Sequence, residues 1–294
     1  MPGIIDLIGN TPLVELTRLF NRPGVTVYGK LEGQNPGGSV KDRAAYGMIR
    51  GALDRGDVPA GTQLVEATSG NTGIALAMIA RLFGIPITLI MPENATKERV
   101  QTMEAYGATV LLTPADKTIE YSREKAESMA RSGEYVLLNQ FANPDNWGMH
   151  SRTTGPEIWR DTQGKVTHFV SSMGTTGTIM GVSRFLKEQN EQVQIVGVQP
   201  TDGSSIPGIR RWSPEFLPAI FEPERVDTVI DVSQEEAIAM ARRLAVEEGV
   251  FAGMSSGGAV TAARKLVDQL EGPATIVCII CDRGDRYLSS DLFG

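Results

Sequence analysis

Two cysteines and two histidines among 294 residues leave little material for several kinds of chemistry. So few cysteines cannot staple a disulfide framework. Two histidines make a multi-histidine metal centre or a histidine proton relay unexpected. Basic charge is also short: 28 Lys and Arg stand against 35 Asp and Glu, a net charge of −7. No positive field draws in nucleic-acid phosphates. No apolar run approaches the roughly 18 residues of a membrane-spanning helix. The start, Met1-Pro2-Gly3-Ile4-Ile5-Asp6, lacks the basic and apolar regions of a secretion signal. These shortages predict a cytoplasmic protein that binds neither nucleic acid nor membrane and holds no metal.

The chain is 41% hydrophobic and 21% charged, ordinary for a folded protein, and its length suits about two domains. Short apolar runs predict strands at Val25–Leu31, 64–67, 87–91, 109–112, 135–139, His168–Ser172, 195–199 and 275–281. They are rich in Val, Ile and Leu with little polar alternation, as in strands buried on both faces of a parallel sheet. Helical patterns lie between them at 40–53, 72–83, 96–106, 118–131, 178–187, Gln234–Glu248 and 257–270. Several end at glycine: Gly84, Gly107, Gly133 and Gly249. The alternation predicts an α/β fold with twisted parallel sheets. The segment 141–155, rich in Asn, Pro and Gly, reads as a boundary between domains.

Two motifs mislead. Cys278-Ile279-Ile280-Cys281 has redox spacing, yet it lies in a strand pattern that puts the two side chains on opposite faces. Gly253-Met254-Ser255-Ser256-Gly257 matches a hydrolase nucleophile elbow, but that fold needs a histidine after the serine, and His150 and His168 both precede it. Those two read as a loop and a strand histidine.

Three small-residue segments stand where strand meets helix: Thr68-Ser69-Gly70-Asn71-Thr72-Gly73, Gly174-Thr175-Thr176-Gly177-Thr178 and Ser255-Ser256-Gly257-Gly258. Each alone is an ordinary helix cap. Three together predict a ligand with several anionic or polar groups, because helix starts offer free N–H groups and a positive dipole end. In Asn35-Pro36-Gly37-Gly38-Ser39-Val40-Lys41-Asp42-Arg43, Ser39 reads as the cap and Asp42 as its capping-box partner. Lys41 then falls in the first turn, where the dipole disfavours its charge and so favours a nucleophilic neutral amine.

With these residues, and from Ile8-Gly9-Asn10-Thr11-Pro12-Leu13 to Asp285-Arg286-Tyr287-Leu288-Ser289, the sequence resembles the fold-type-II pyridoxal-phosphate enzymes. The nearest branch is that of the cysteine synthases (O-acetylserine sulfhydrylases). The stretch Gly203–Trp212, and Thr176 where a second glycine is usual, resemble the B-type branch, which also accepts thiosulfate. The resemblance implies a tryptophan-synthase-β-like fold with a smaller domain over 35–145 and a larger one over 1–34 plus 146–294. It implies pyridoxal 5′-phosphate held by Lys41 as a Schiff base, with Lys41 also moving the substrate α-proton. Asn71 would meet the cofactor's ring oxygen, Gly174, Thr175, Thr176, Gly177 and Thr178 its phosphate, and Ser255 its pyridine nitrogen. Thr68, Ser69, Gly70 and Thr72, with Gln140, would clamp the substrate carboxylate.

Arg210 and Arg211, adjacent on a Pro/Gly loop, are candidates to attract a dianionic sulfur donor; surface ion pairing is the commoner use of such a couple. The implied reaction is β-replacement on O-acetylserine by sulfide or thiosulfate, in a homodimer without a stable serine acetyltransferase complex. Alternatives are an O-phosphoserine sulfhydrylase, a cystathionine β-synthase, a serine/threonine dehydratase and, in a different class, a non-catalytic binding module.

Overall fold

A computed structural model describes residues 3–68 and 70–294. Two sheets organise the chain, each sandwiched between helices. The first strands are β1 (Leu13–Glu15) and β2 (Val25–Leu31), and after a glycine-rich loop helix α1 runs over Lys41–Arg55. Then come β3 (Gln63–Ala67), α2 (Asn71–Leu82), β4 (Ile87–Pro92), α3 (Lys97–Ala105), β5 (Thr109–Thr113), α4 (Thr118–Ala130) and β6 (Tyr135–Leu137). Helices α5 (Pro144–Arg152) and α6 (Thr154–Asp161) lead into β7 (His168–Ser172), α7 (Gly177–Gln189), β8 (Gln194–Pro200) and β9 (Thr228–Val232). Helices α8 (Gln234–Glu248) and α9 (Met254–Gln269) and strand β10 (Ala274–Ile280) complete the series.

The four-stranded sheet has the order β5-β4-β3-β6 and is parallel throughout. One face packs on apolar residues of α1, α2 and α3 (Met48, Ile49, Leu76, Ile79, Met103), the other on Ile119 and Ala126 of α4. The six-stranded sheet has the order β1-β2-β10-β7-β8-β9 and is parallel except for the β1–β2 pair. Helices α8 and α9 cover one face, and α6 and α7 with Ile158, Ile179, Met180 and Leu186 the other. Burial on both faces explains why the strand runs are nearly continuous in Val, Ile and Leu.

The glycine stops are borne out: Gly84, Gly107, Gly133 and Gly249 all have positive φ between 70° and 86°. Four elements escaped the pattern. Strand β1 has only three residues, and edge strand β9 is largely exposed. The stretch expected to be an irregular boundary is instead two helices. Asn143 caps α5 by accepting the Asp145 N–H at 3.0 Å, with Pro144 in the first turn. His150 is accordingly a buried helix residue and not a loop histidine.

Cys278 lies within β10 and Cys281 just beyond it, packed against different cores. Both thiols are free, and burial raises them to about 12 and about 11. In the other misleading motif, Gly257 has a packing reason. A Cβ there would come within 2.0 Å of the Ala237 carbonyl oxygen, so glycine lets α9 lie against α8.

Candidate active site

Lys41 opens α1, and its amide N–H reaches the Ser39 Oγ at 3.2 Å. The preceding residues are fixed to the end of β10: Ser39 pairs with Asp282, and the Val40 N–H donates to the Cys281 carbonyl at 2.8 Å. Burial pushes the Lys41 amine down, while Cys281 and Asp282 nearby act in the opposite sense. Desolvation favours the neutral, nucleophilic form of the amine, and the Asp282 carboxylate opposes it. Asp42 turns back so that its carboxylate accepts the Gly37 N–H. Burial raises Asp42 to about 7, against the opposing pull of the Gly37 bond and of Arg286.

The start of α1 is anchored by a buried charge network. Arg43 binds Glu32 through Nε at 2.7 Å and Nη2 at 2.8 Å, and Glu157 through Nη1 and Nη2 at 2.7 Å each. Lys30 joins Glu157 at 2.8 Å and the Thr11 carbonyl at 2.6 Å. Burial acts to raise Glu157, yet Arg43 and Lys30 overcome it and hold this carboxyl down at about 2.

Asn71, the first residue of α2, donates from Nδ2 to Asp282 Oδ2 at 2.6 Å and accepts from Arg286 at Oδ1. The second amide hydrogen of Nδ2 remains available to a ligand oxygen. Tyr287 also donates to Asp282 Oδ2, at 2.6 Å, while the buried Asp282 Oδ1 has no partner among the described residues. A cavity of about 320 Å³ between Gly37, Ile74, Arg99, Tyr106 and Arg286 borders this contact but does not reach Lys41.

The loop ahead of α2 folds onto Thr68, whose Oγ1 accepts the Gly70 N–H at 3.1 Å and the Gly73 N–H at 3.0 Å. Thr72 donates to Gln140 Oε1 at 2.8 Å, and Gln140 Nε2 holds the Ala67 carbonyl at 3.1 Å. Thr68, Gly70, Thr72 and Gln140 are therefore one cluster; Ser69 lies outside the described residues. Asn146 of α5 continues the chain, donating to the Gln140 carbonyl at 2.8 Å and to Thr175 Oγ1 at 3.2 Å.

Gly174–Thr178 forms the turn into α7. Thr176 sits at φ 70°, a left-handed conformation uncommon for a non-glycine residue. A Cβ on Gly177 would strike Asn146 Oδ1 at 2.0 Å and one on Gly174 the Gly208 carbonyl at 2.6 Å, so only a bare backbone fits here. Thr178 meets His150 Nε2 at 3.3 Å, and His150 Nδ1 meets Thr154 at 2.9 Å. Burial, helped by Arg43, lowers His150 to about 3, which keeps the ring neutral beside the loop.

Ser255 is buried in the first turn of α9 rather than in a loop before it, and Ser172 donates to its carbonyl at 2.9 Å. Its hydroxyl lies near the Cys281 thiol.

Arg210 is stitched to the same place, its N–H donating to the Met173 carbonyl at 2.9 Å. Its neighbour is not brought along. Arg211 is held by Asp231 at 2.6 Å, Asp202 at 3.2 Å and the Pro200 carbonyl at 2.9 Å, the surface pairing such a residue commonly makes.

A desolvated amine, a glycine-containing turn at a helix start, and a second helix start with clustered hydroxyls thus converge between the two sheets. These donors fit a phosphorylated carbonyl cofactor: the amine for the carbonyl, the α7 turn for the phosphate. The Pyridoxal-phosphate dependent enzyme family matches residues 4–282. The chain belongs to that family. A cysteine synthase B of Pseudomonas aeruginosa is 58% identical over 292 residues, 99% of this chain and 97% of that protein. The crystal structure of a cysteine synthase from Entamoeba histolytica superposes with a TM-score of 0.94 at 37% identity, covering all of this chain and 90% of the other. An O-acetylserine-dependent cystathionine β-synthase from Helicobacter pylori gives 0.91 at 35% identity, covering 100% and 99%.

Asp282, His150 and Asn146 join this cluster without any local sequence signal. Cys281, dismissed as a strand residue, lies beside Lys41. Among the described residues no cluster of His, Cys, Asp and Glu could hold a metal, and no helix could cross a membrane.

Proposed function

We propose that this enzyme performs β-replacement on O-acetylserine with pyridoxal phosphate as cofactor, giving cysteine from sulfide. The bond from the β-carbon to the acetoxy oxygen breaks, acetate leaves, and a carbon–sulfur bond takes its place with no net oxidation. The observation that carries this reading is Lys41, an amine held down by burial at the junction of the two sheets, in a chain whose relatives are cysteine synthases.

The cofactor supplies a carbonyl for amines and a ring that draws electrons from the substrate α-carbon. Lys41 would hold that carbonyl through Nζ and, once displaced by the substrate amine, take the α-proton at Nζ. The α7 turn, Gly174 to Thr178, would receive the phosphate on backbone N–H groups and threonine hydroxyls. Neutral His150 keeps a hydrogen-bond partner on Thr178 without adding a charge. The Asn71 amide would donate to the ring oxygen. Ser255, a hydroxyl and not a carboxylate, would leave the ring nitrogen unprotonated, which weakens the electron sink and favours prompt loss of a β-leaving group over transamination. Thr68, Ser69, Gly70, Thr72 and Gln140 would take the substrate carboxylate at the start of α2. Closure of that loop would exclude water.

The donor range extends in this reading to thiosulfate, which would give S-sulfocysteine, with Arg210 attracting the dianion. Likeness to the B-type branch and the position of Arg210 beside Gly174 support it. The same likeness supports a cytoplasmic homodimer without a stable serine acetyltransferase complex. The Helicobacter pylori neighbour keeps a second reading in view, in which homocysteine is the nucleophile and cystathionine the product.

The test is product analysis with O-acetylserine and each of sulfide, thiosulfate and homocysteine. Cysteine from sulfide is expected in wild type and lost in Lys41→Ala. Cystathionine as the dominant product would move the assignment to the second reading. Charge removal at Arg210 is expected to raise the thiosulfate KM more than the sulfide KM, and equal effects would remove Arg210 from donor recognition.

A further inference from the structure

Arg210 is only half-buried, and its exposed end meets a carboxylate. At the first turn of α4, on the four-stranded side, Glu120 places Oε1 3.6 Å from Arg210 Nη1. One turn further along the same helix, Arg123 stacks its guanidinium 4.6 Å from the centre of the Phe141 ring. Phe141 meets Trp212 edge-on at 5.6 Å, and Arg210 lies 5.4 Å from the Trp212 ring. The five side chains form one cluster bridging α4, on the four-stranded sheet, and the loop that follows β8 of the six-stranded one. It adjoins the clamp, since Phe141 follows Gln140, and the phosphate turn, since Trp212 Nε1 donates to the Gly174 carbonyl at 2.8 Å.

The cluster holds two guanidiniums, Arg210 and Arg123, and one carboxylate, Glu120. Burial disfavours the charge on Arg210, Glu120 supports it and Arg123 opposes it. The Glu120 contact is also loose. The buried Lys30–Glu157 and Arg43–Glu32 pairs close to 2.8 and 2.7 Å, whereas Arg210 and Glu120 stand at 3.6 Å with 34% and 41% of their side chains exposed. Such a pair exchanges readily for a better anion.

We infer that Glu120 occupies, in the donor-free enzyme, the place on Arg210 that a dianionic sulfur oxyanion takes, and that Arg123 is the second cation of that subsite. Glu120 thereby sets donor specificity by competing with dianions for Arg210. It penalises a doubly charged donor about twice as strongly, in logarithmic terms, as a singly charged one such as hydrosulfide. The inference rests on the reading of Arg210 as a donor-binding residue.

The test compares wild type, Glu120→Gln and Arg123→Gln as holoenzymes with O-acetylserine. Sulfide and thiosulfate are the donors, and inorganic sulfate, a dianion without a nucleophilic sulfur, is the inhibitor of the sulfide reaction. Glu120→Gln is expected to lower the thiosulfate KM and the sulfate inhibition constant on the order of three- to tenfold, and the sulfide KM by a smaller factor. Arg123→Gln is expected to raise both dianion constants by a similar factor. The inference is overturned if Glu120→Gln leaves the dianion constants unchanged, raises them, or shifts the sulfide KM equally. If wild type uses sulfide but not thiosulfate, the thiosulfate reading fails separately, and the sulfate constants alone decide the subsite.

Discussion

Asn71 and Asp282 meet at 2.6 Å although 211 residues separate them in sequence. The contact joins the start of α2, beside the four-stranded sheet, to the segment that follows β10 of the six-stranded sheet. Tyr287 shares the same carboxylate oxygen, and Lys41 lies within electrostatic reach. Asp282 thus fixes the side chain expected to meet the cofactor's ring oxygen. Asp282→Ala leaves the donors of half-buried Asn71 and buried Tyr287 without their acceptor, at a cost of about 1–3 kcal/mol. Lower stability of the cofactor-free protein in urea and weaker pyridoxal-phosphate affinity are the expected outcomes. Unchanged affinity would mean that Asn71 is positioned without it.

Arg43→Met tests the network that seats α1. It strands the Glu32 and Glu157 carboxylates without their shared guanidinium, and breaking a buried pair from one side costs roughly 3–5 kcal/mol. Urea unfolding should show a loss of that size. Glu157 adds a pH dependence. Its folded value of about 2 lies below its ordinary 4.5, so its contribution is complete above pH 4.5 and is lost as pH falls towards 2. Acid unfolding of wild type should therefore show a component in that window that Glu157→Gln lacks.

Glu66 behaves in the opposite sense. It is buried at the end of β3, its Oε2 has no partner among the described residues, and burial raises it from 4.5 to about 8 despite bonds from backbone N–H groups. The fold favours its protonated form, so the stability tied to that proton is present below pH 4.5 and is lost as pH rises through 8. Relative to wild type, Glu66→Gln should gain stability between pH 5 and pH 8.5 in urea titrations. A constant difference across that range would show that Glu66 is ionised in the folded enzyme.

Gly257→Ala separates packing from chemistry in the stretch that mimics a hydrolase motif. A methyl group there meets the Ala237 carbonyl at 2.0 Å, and overpacking of this kind costs about 1–3 kcal/mol. Thermal unfolding should shift downwards. A variant as stable as wild type would show that α8 and α9 can part without cost.

Long-range contacts of this kind explain which parts of the site were legible. Lys41, Asn71 and the Gly174–Thr178 turn sit at strand–helix junctions, where glycine, small hydroxyl residues and an apolar run leave a local pattern. Asp282 and His150 have no such pattern: a Cys-Asp pair after a strand and a histidine in a polar stretch acquire meaning only through tertiary pairing. The same holds for α5 and α6. Their Gly and Pro content obscured the helices, although Asn143-Pro144 is a regular helix start. Strands β2 and β7 were readable to the residue although polar residues interrupt both, whereas the largely exposed edge strand β9 was missed.

The central claim is that Lys41, and no other lysine, carries the cofactor. Borohydride reduction of the holoenzyme followed by proteolysis and mass spectrometry tests it directly. The mass of a reduced pyridoxyl phosphate group should appear on the peptide containing Lys41. Lys30, the fully buried alternative, is occupied by Glu157 and the Thr11 carbonyl and should stay unmodified. The label on Lys30 or any other lysine, with Lys41 unmodified, would contradict the account.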